Sequence, residues 1–163
     1  MNSNQVMPPS EAERFLVCLV NSKLNFWLDG GWGVDALVGK QTRQHKDLDI
    51  CISIADQLQA KASLEEIGYS ISKDESPTRL IMTDENNQRI DIHLLSFDEK
   101  GNGIQKYSGG FHKYPAKDLK CVGRISSLAV NCLSPQLQTE FRKIYTPNEK
   151  SLHDSSQLER LLG

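Results

Sequence analysis

The chain has 163 residues, 38% of them hydrophobic and 25% charged, with 11 Gly and 6 Pro. That composition fits one globular domain over residues 1–163 and excludes disordered, collagenous and solenoid chains. The formal net charge is −2, so no overall positive field holds nucleic acid or an anionic membrane, and any phosphate contacts must be local.

Residues 1–10 lack the basic start and apolar run of a secretory signal, and no stretch reaches the length of a membrane span, which points to a cytoplasmic protein. Cys18, Cys51, Cys121 and Cys132 are scattered with no C-x-x-C pair, so they read as small buried hydrophobes and not as zinc ligands. Ser10-Glu-Ala-Glu13 has the pattern of a capping box, and Ala12, Phe15, Leu16, Leu19 and Val20 follow at helical spacing, predicting a helix over 11–22. Phe26-Trp27-Leu28 reads as a buried strand ending in a tight turn, Asp29-Gly30-Gly31, before a short helix over 32–38 that Gly39 stops. Over 46–54, Leu48, Ile50 and Ile52 alternate with Asp47, Asp49 and Cys51, the period of a strand. Residues 55–67 read as a helix ending at Gly68. Residues 69–73, 79–83 and 89–95 read as strands of a meander, with Asp84-Glu-Asn-Asn87 as a hairpin loop. Residues 96–120 show no periodicity and read as a long irregular connection, a frequent home of function. Residues 120–132 suit another hairpin. Ser134-Pro135 caps and opens a helix with Leu137, Phe141 and Ile144 on one stripe, and a final short helix spans 152–162. This C-terminal helical segment, from about 134, is expected to pack on the rest.

Asp47 and Asp49 are two apart in an extended segment, so both carboxylates project from one face while Leu48 and Ile50 fill the core behind them. Like charges so placed repel by on the order of 1 kcal/mol in water and by more when desolvated. A hard divalent ion such as Mg²⁺ relieves this, taking a few carboxylate oxygens and completing its octahedron with water and substrate phosphates. Asp91, in Arg89-Ile-Asp-Ile-His93, alternates with Ile90 and Ile92 and adds a third carboxylate if the two strands are neighbours, to bind metal or accept a proton. Taken alone, an Asp-x-Asp pair is an ordinary wet strand face. Here it follows Gly30-Gly31, which joins a strand to a helix N-terminus, where free N–H groups and the positive dipole end suit a phosphate. Arg43 and His45 lie close enough in sequence to the pair to reach the phosphates of a nucleotide. Gly33 to Thr42 imitates a phosphate-binding P-loop, but its glycines are spaced too widely and Gln41 stands where Ser or Thr is needed.

The segments 26–35 (Phe-Trp-Leu-Asp-Gly-Gly-Trp-Gly-Val-Asp) and 39–50 (Gly-Lys-Gln-Thr-Arg-Gln-His-Lys-Asp-Leu-Asp-Ile) resemble the nucleotidyltransferases that modify antibiotics. The resemblance is greatest to the small lincosamide enzymes and more distant to the aminoglycoside ones. It continues through Ile90-Asp-Ile-His93, residues 130–135 and residues 149–154, and the Gly-Gly plus Asp-x-Asp core is shared by the wider polymerase-beta-like superfamily. The resemblance implies an α+β nucleotidyltransferase fold, a mixed β-sheet flanked by helices. It implies Mg²⁺ held by Asp47, Asp49 and Asp91, with Asp91 as the usual general base. It implies Gly30 and Gly31 as the phosphate turn, and Arg43 and His45 near the phosphates of a nucleoside triphosphate. Relatives are often dimers with sites near the subunit contact, which implies a homodimer. Cys51 stands where the family often has an acidic or polar residue, and residues 105–120, expected to help build the acceptor pocket, align poorly.

The expected reaction is attack of a small acceptor's hydroxyl on the α-phosphorus of ATP or another NTP, releasing pyrophosphate. Over 96–120 the acids Asp98, Glu99 and Asp118 are outnumbered by lysines and accompanied by Tyr107, Phe111 and Tyr114, which leans toward a lincosamide over a polycationic aminoglycoside. The rival readings are a nucleotidyltransferase-fold toxin or antitoxin partner acting on protein, and a phosphohydrolase using the same carboxylates. His153 and Asp154 either touch the nucleotide or cap the last helix, and the preference of Asp for helix starts favours the cap.

Overall fold

The computed structural model describes residues 5–163, so residues 1–4 of the segment read as lacking a secretory signal lie outside it. The first helix, α1 (Pro9–Asn21), begins before its expected start, with Pro8 as N-cap and Ser10 inside the first turn. Ser10 therefore caps nothing. Pro9 takes the opening position because its fixed φ suits it and its missing N–H is not needed there. Strand β1 (Phe26–Asp29) runs directly into α2 (Gly30–Val38), whose N-cap is Asp29, and Gly39 ends that helix at φ 92° in the left-handed region. β2 (Asp47–Ser53) follows, and the helix expected over 55–67 is divided into a short 3₁₀ turn, Ile54–Asp56, and α3 (Gln57–Glu65).

The meander is present as β3 (Ser70–Glu75), β4 (Arg79–Thr83) and β5 (Arg89–Phe97). The stretch expected to be irregular is not. It holds a hairpin of β6 (Gly103–Tyr107) and β7 (Gly110–Tyr114), then a 3₁₀ turn, Ala116–Leu119. A second hairpin, β8 (Cys121–Ile125) and β9 (Leu128–Cys132), is as expected, and so is α4 (Pro135–Arg142), where Ser134 Oγ accepts from the Leu137 N–H at 3.0 Å. The last helix, α5 (Glu149–Leu162), starts earlier than expected. Its cap is Asn148, locked reciprocally with Ser151, so His153 and Asp154 lie inside the helix and do not cap it.

These strands form one mixed sheet in the order β3-β4-β5-β2-β1-β9-β8, with β6 and β7 joined to the end of β5. β2 is parallel to β5 and antiparallel to β1. Leu28, Leu48, Ile50, Ile52, Ile90 and Ile92 fill one face, covered by Phe15 and Leu16 of α1, Trp32 and Ala36 of α2, and Ala60 and Leu64 of α3. Burial of each large apolar side chain is worth about 1.5–3 kcal/mol. On the opposite face Cys51, Leu95, Tyr114, Leu133 and Leu137 form a second apolar cluster, against which Trp27 and Phe141 pack. α5 packs on α4 and α2. The result is the expected mixed sheet flanked by helices. No helix among the described residues is long and apolar enough to cross a membrane.

Candidate active site

Strand register gathers the acids. Asp49 lies opposite Asp29 on β1 and opposite Asp91 on β5, and Asp47 shares its face one pleat away. Opposed side chains in a sheet start from Cβ atoms about 5 Å apart, so four carboxylates occupy one patch. The same face turns apolar further along β2, where Cys51 is fully buried in the second cluster. Cys51 serves packing there and adds no polar group to the patch. Asp29 was not among the expected carboxylates, because a residue preceding Gly-Gly reads as part of a turn. Its place at the end of a strand was the available signal.

Crowding shows in the electrostatics. Burial, with the charges of Asp47 and Asp29, pushes the Asp49 carboxyl up to about 6 against the pull of His93. Burial and then the charge of Asp91 raise Asp47, partly offset by Arg89, Lys150 and Arg43. Asp91 is held by Arg89, Nε to Oδ1 at 3.0 Å. Asp49 Oδ1 meets His93 Nε2 only at 3.5 Å. So arranged, no three His, Cys, Asp or Glu side chains among the described residues form a ready-made metal cage.

His93 has a fixed proton pattern. The Tyr114 hydroxyl lies 2.8 Å from Gln105 Oε1, and the Gln105 amide nitrogen lies 3.1 Å from the Thr78 carbonyl and 2.9 Å from His93 Nδ1. A carbonyl only accepts, so the group facing Thr78 is the NH₂, and it donates to Nδ1. The ring proton then sits on Nε2, toward Asp49.

The glycine turn is pressed from both sides. At Gly30, with φ 63°, an added Cβ would collide with Asp49 Oδ2, and its N–H donates to Asp29 Oδ1 at 2.7 Å. At Gly31 a Cβ would collide with Arg43 Nη2 and stand 2.5 Å from His45 Nδ1. Only glycine admits these neighbours. Arg43 is where the sequence suggests, beside the turn. His45 is not at the nucleotide face: it is 2% exposed and does not line the cavity, because Trp32 packs against it, tilted by 41° with ring centroids 4.5 Å apart, and Asp35 Oδ2 bonds its Nε2 at 2.6 Å. It supports the turn from beneath.

Gly30, Gly31, Arg43, Asp47, Asp49 and Asp91 line one cavity of about 620 Å³. Its remaining wall comes from the 105–120 stretch, expected to build the acceptor pocket, from Asp154, and from Arg142 and Phe141, which the sequence did not point to. Arg43 and Arg142 converge on Asp154, and Tyr107, His112, Tyr114 and Phe141 form an aromatic stretch with ring centroids 4.6–5.8 Å apart.

With this geometry in view, the similarities to known proteins are specific. A lincosamide resistance protein of Staphylococcus haemolyticus is 30% identical over 163 residues, 99% of each chain. The lincomycin-bound crystal structure of the lincosamide antibiotic adenylyltransferase LnuA superposes with a TM-score of 0.82 at 30% identity, covering 96% of this chain and 98% of that one. The structure of ANT(2")-Ia in complex with adenylyl-2"-tobramycin shares the fold, with a TM-score of 0.73 at 17% identity over 95% of this chain and 89% of that one. The sequence profile of the aminoglycoside-2''-adenylyltransferase family matches residues 14–158. The chain belongs to that family and is a nucleotidyltransferase.

Proposed function

We propose that the protein transfers a nucleoside monophosphate from ATP or another nucleoside triphosphate to a hydroxyl of a lincosamide antibiotic, releasing pyrophosphate. The observation that carries this is the register of Asp29, Asp49 and Asp91 beside the Gly30-Gly31 turn, on the wall of a cavity whose far side is aromatic. Mg²⁺ fits the donor set, which is all carboxylate oxygen, since Asp49 is buried beside like charges and its raised pKa marks a group that a cation would relieve. Asp47, Asp49 and Asp91 would hold the ion, which when bound offsets charge on the phosphates and on the reacting oxygens.

In this reading the acceptor oxygen bonds to the α-phosphorus as the bond to the bridging oxygen of pyrophosphate breaks. The hydroxyl proton passes to Asp91, whose carboxylate Arg89 orients. The start of α2 turns backbone N–H groups and its positive dipole end toward the phosphates, and the aromatic stretch receives the acceptor. The carboxylates lining the cavity are Asp29, Asp47, Asp49, Asp91 and Asp154, all at the nucleotide end. The acceptor end therefore offers no acidic partner to a polycationic aminoglycoside, which favours the less cationic lincosamide. We place the protein in the cytoplasm, where its four free cysteines stay reduced, as a single domain acting as a homodimer without nucleic-acid or membrane partners. The test is a matrix of nucleoside triphosphates against lincosamides and aminoglycosides with Mg²⁺, read by mass spectrometry of the drug. A nucleotidylated lincosamide is expected; an adduct only on aminoglycosides, or phosphate release with no adduct, overturns the reading.

A further inference from the structure

The carboxylate of Asp154, 2% exposed, sits between two guanidinium groups from separate segments. Arg43, in the loop between α2 and β2, meets it bidentately, Nε to Oδ1 and Nη2 to Oδ2, both at 2.9 Å. Arg142, the last residue of α4, reaches Oδ2 with Nη2 at 3.2 Å and is steadied from behind by Gln138 at 3.2 Å. All three residues line the cavity, and Lys150 lines it one turn before Asp154 on α5.

A simple latch for the C-terminal helix would pair one carboxylate with one cation, because a desolvated surplus charge is costly. Here two cations share one anion. Asp35 is already taken by His45 and Thr42, and Asp47 acts on Arg43 through its charge without a hydrogen bond, so at the cavity wall the two guanidinium groups outnumber the carboxylate bonded to them. Donor accounting agrees. Arg43 spends Nε–H, one Nη2–H and, toward the Gln44 carbonyl, one Nη1–H. That leaves a free N–H on each terminal nitrogen, and Nη2 occupies the space where Gly31 lacks a Cβ. Arg142 likewise keeps its Nε–H. The spare donor on Arg43 Nη2 therefore lies beside the start of α2, and both arginines share the cavity wall with Asp47, Asp49 and Asp91.

We propose that Asp154 is a positioning residue of the nucleotide site, holding Arg43 and Arg142 side by side so that their spare N–H groups grip the triphosphate, with Arg142 a binding residue for it. This makes α5 part of the active site, and it rests on the nucleotidyl-transfer reading. Charge-assisted, fork-shaped donors are well matched to phosphate oxygens, and an arginine whose carboxylate partner is lost is free to swing away.

The experiment compares wild type with Asp154→Asn, Asp154→Glu and Arg142→Gln. It varies NTP and acceptor separately, titrates inorganic pyrophosphate by calorimetry, and confirms folding by circular dichroism. Asp154→Asn and Arg142→Gln should raise KM for the NTP and weaken pyrophosphate binding by about tenfold, leave the acceptor KM within about twofold, and Asp154→Glu should recover part of the loss. Folded variants with wild-type NTP KM and pyrophosphate affinity reduce Asp154 to a latch and overturn the proposal. If the wild type modifies no acceptor, the transfer reading fails on its own. The pyrophosphate titration then decides alone: binding by wild type that Asp154→Asn loses supports the arginine clamp, and equal or absent binding in both overturns it.

Discussion

Gln105 on β6 donates its side-chain amide to Nδ1 of His93 on β5 across 2.9 Å, and Tyr114 and Thr78 fix the direction of that bond. The ring thus points a proton at Asp49. Gln105→Leu should leave the buried Tyr114 hydroxyl without its acceptor, while the Thr78 carbonyl keeps the Leu94 N–H, at a cost of about 1–3 kcal/mol, and should lower turnover by about 10-fold to 100-fold through a misaligned His93. Gln105→Glu, which can accept but not donate at Nδ1, should shift the ring proton. Nitrogen-15 spectra of His93 check the tautomer, and steady-state rates check the consequence.

Gly30 and Gly31 should fail differently. Gly30→Ala puts a methyl group on Asp49 Oδ2 at a positive φ, so turnover should collapse. Gly31→Ala pushes on Arg43 and His45, so KM for the nucleotide should rise more than kcat falls. The ratio of the two effects, measured with NTP and acceptor varied separately, distinguishes them.

The pH dependence of Asp49 has a definite sign. Its folded pKa, about 6, lies above its ordinary value of 3.8, so the folded state binds the extra proton between those limits. Stability from this group is greatest below the window and is lost as pH rises through about 6. Asn carries no charge. Asp49→Asn should match wild type in melting temperature at low pH and exceed it by a few degrees at about pH 8, while turnover drops by about 100-fold or more. Melting curves across pH, with one rate measurement, test both halves; an Asn variant that melts lower than wild type at alkaline pH contradicts the charge account.

At the aromatic stretch, Phe141 meets His112 and Tyr114 with ring centroids 5.8 and 4.9 Å apart. Phe141→Ala should raise the acceptor KM by about tenfold while leaving the nucleotide KM nearly unchanged. Its neighbour Arg142 should show the reverse. That contrast across one peptide bond is measurable in a single set of initial-rate experiments.

Asp47, Asp49 and Asp91 are legible in the sequence because strict alternation with Leu48, Ile50, Ile90 and Ile92 leaves them one face only. Gly30 and Gly31 are legible because a strand must turn into a helix there. The hairpin of β6 and β7 is not, since its strands are short and mix Gln105, Lys106 and Lys113 with few apolar residues; its stability comes from pairing with β5 and from Tyr114 buried under α4. The Ser10 pattern misleads because Pro8-Pro9 sets the helix start before the serine, and the true cap of α5 uses Asn148 with Ser151, without the acidic partner that marks a capping box. His45 and Asp154 are named in the sequence reading, but their actual roles, beneath the turn and between two arginines, are not legible for another reason. Their partners, Asp35, Arg43 and Arg142, are brought to them only by the tertiary fold.

The parallel pairing of β2 with β5 has one further consequence. Sliding β2 by a single position would turn Leu48 and Ile50 outward and drive the aspartates into the greasy layer beneath α1 and α3. No partly competent alignment exists between the two, so a molecule that has finished folding has also finished assembling its chemistry. Along these strands the register serves both stability and chemistry, although the charge of Asp49 itself costs stability. Divergence toward new drugs is then left to the walls contributed by α4 and the β6–β7 hairpin.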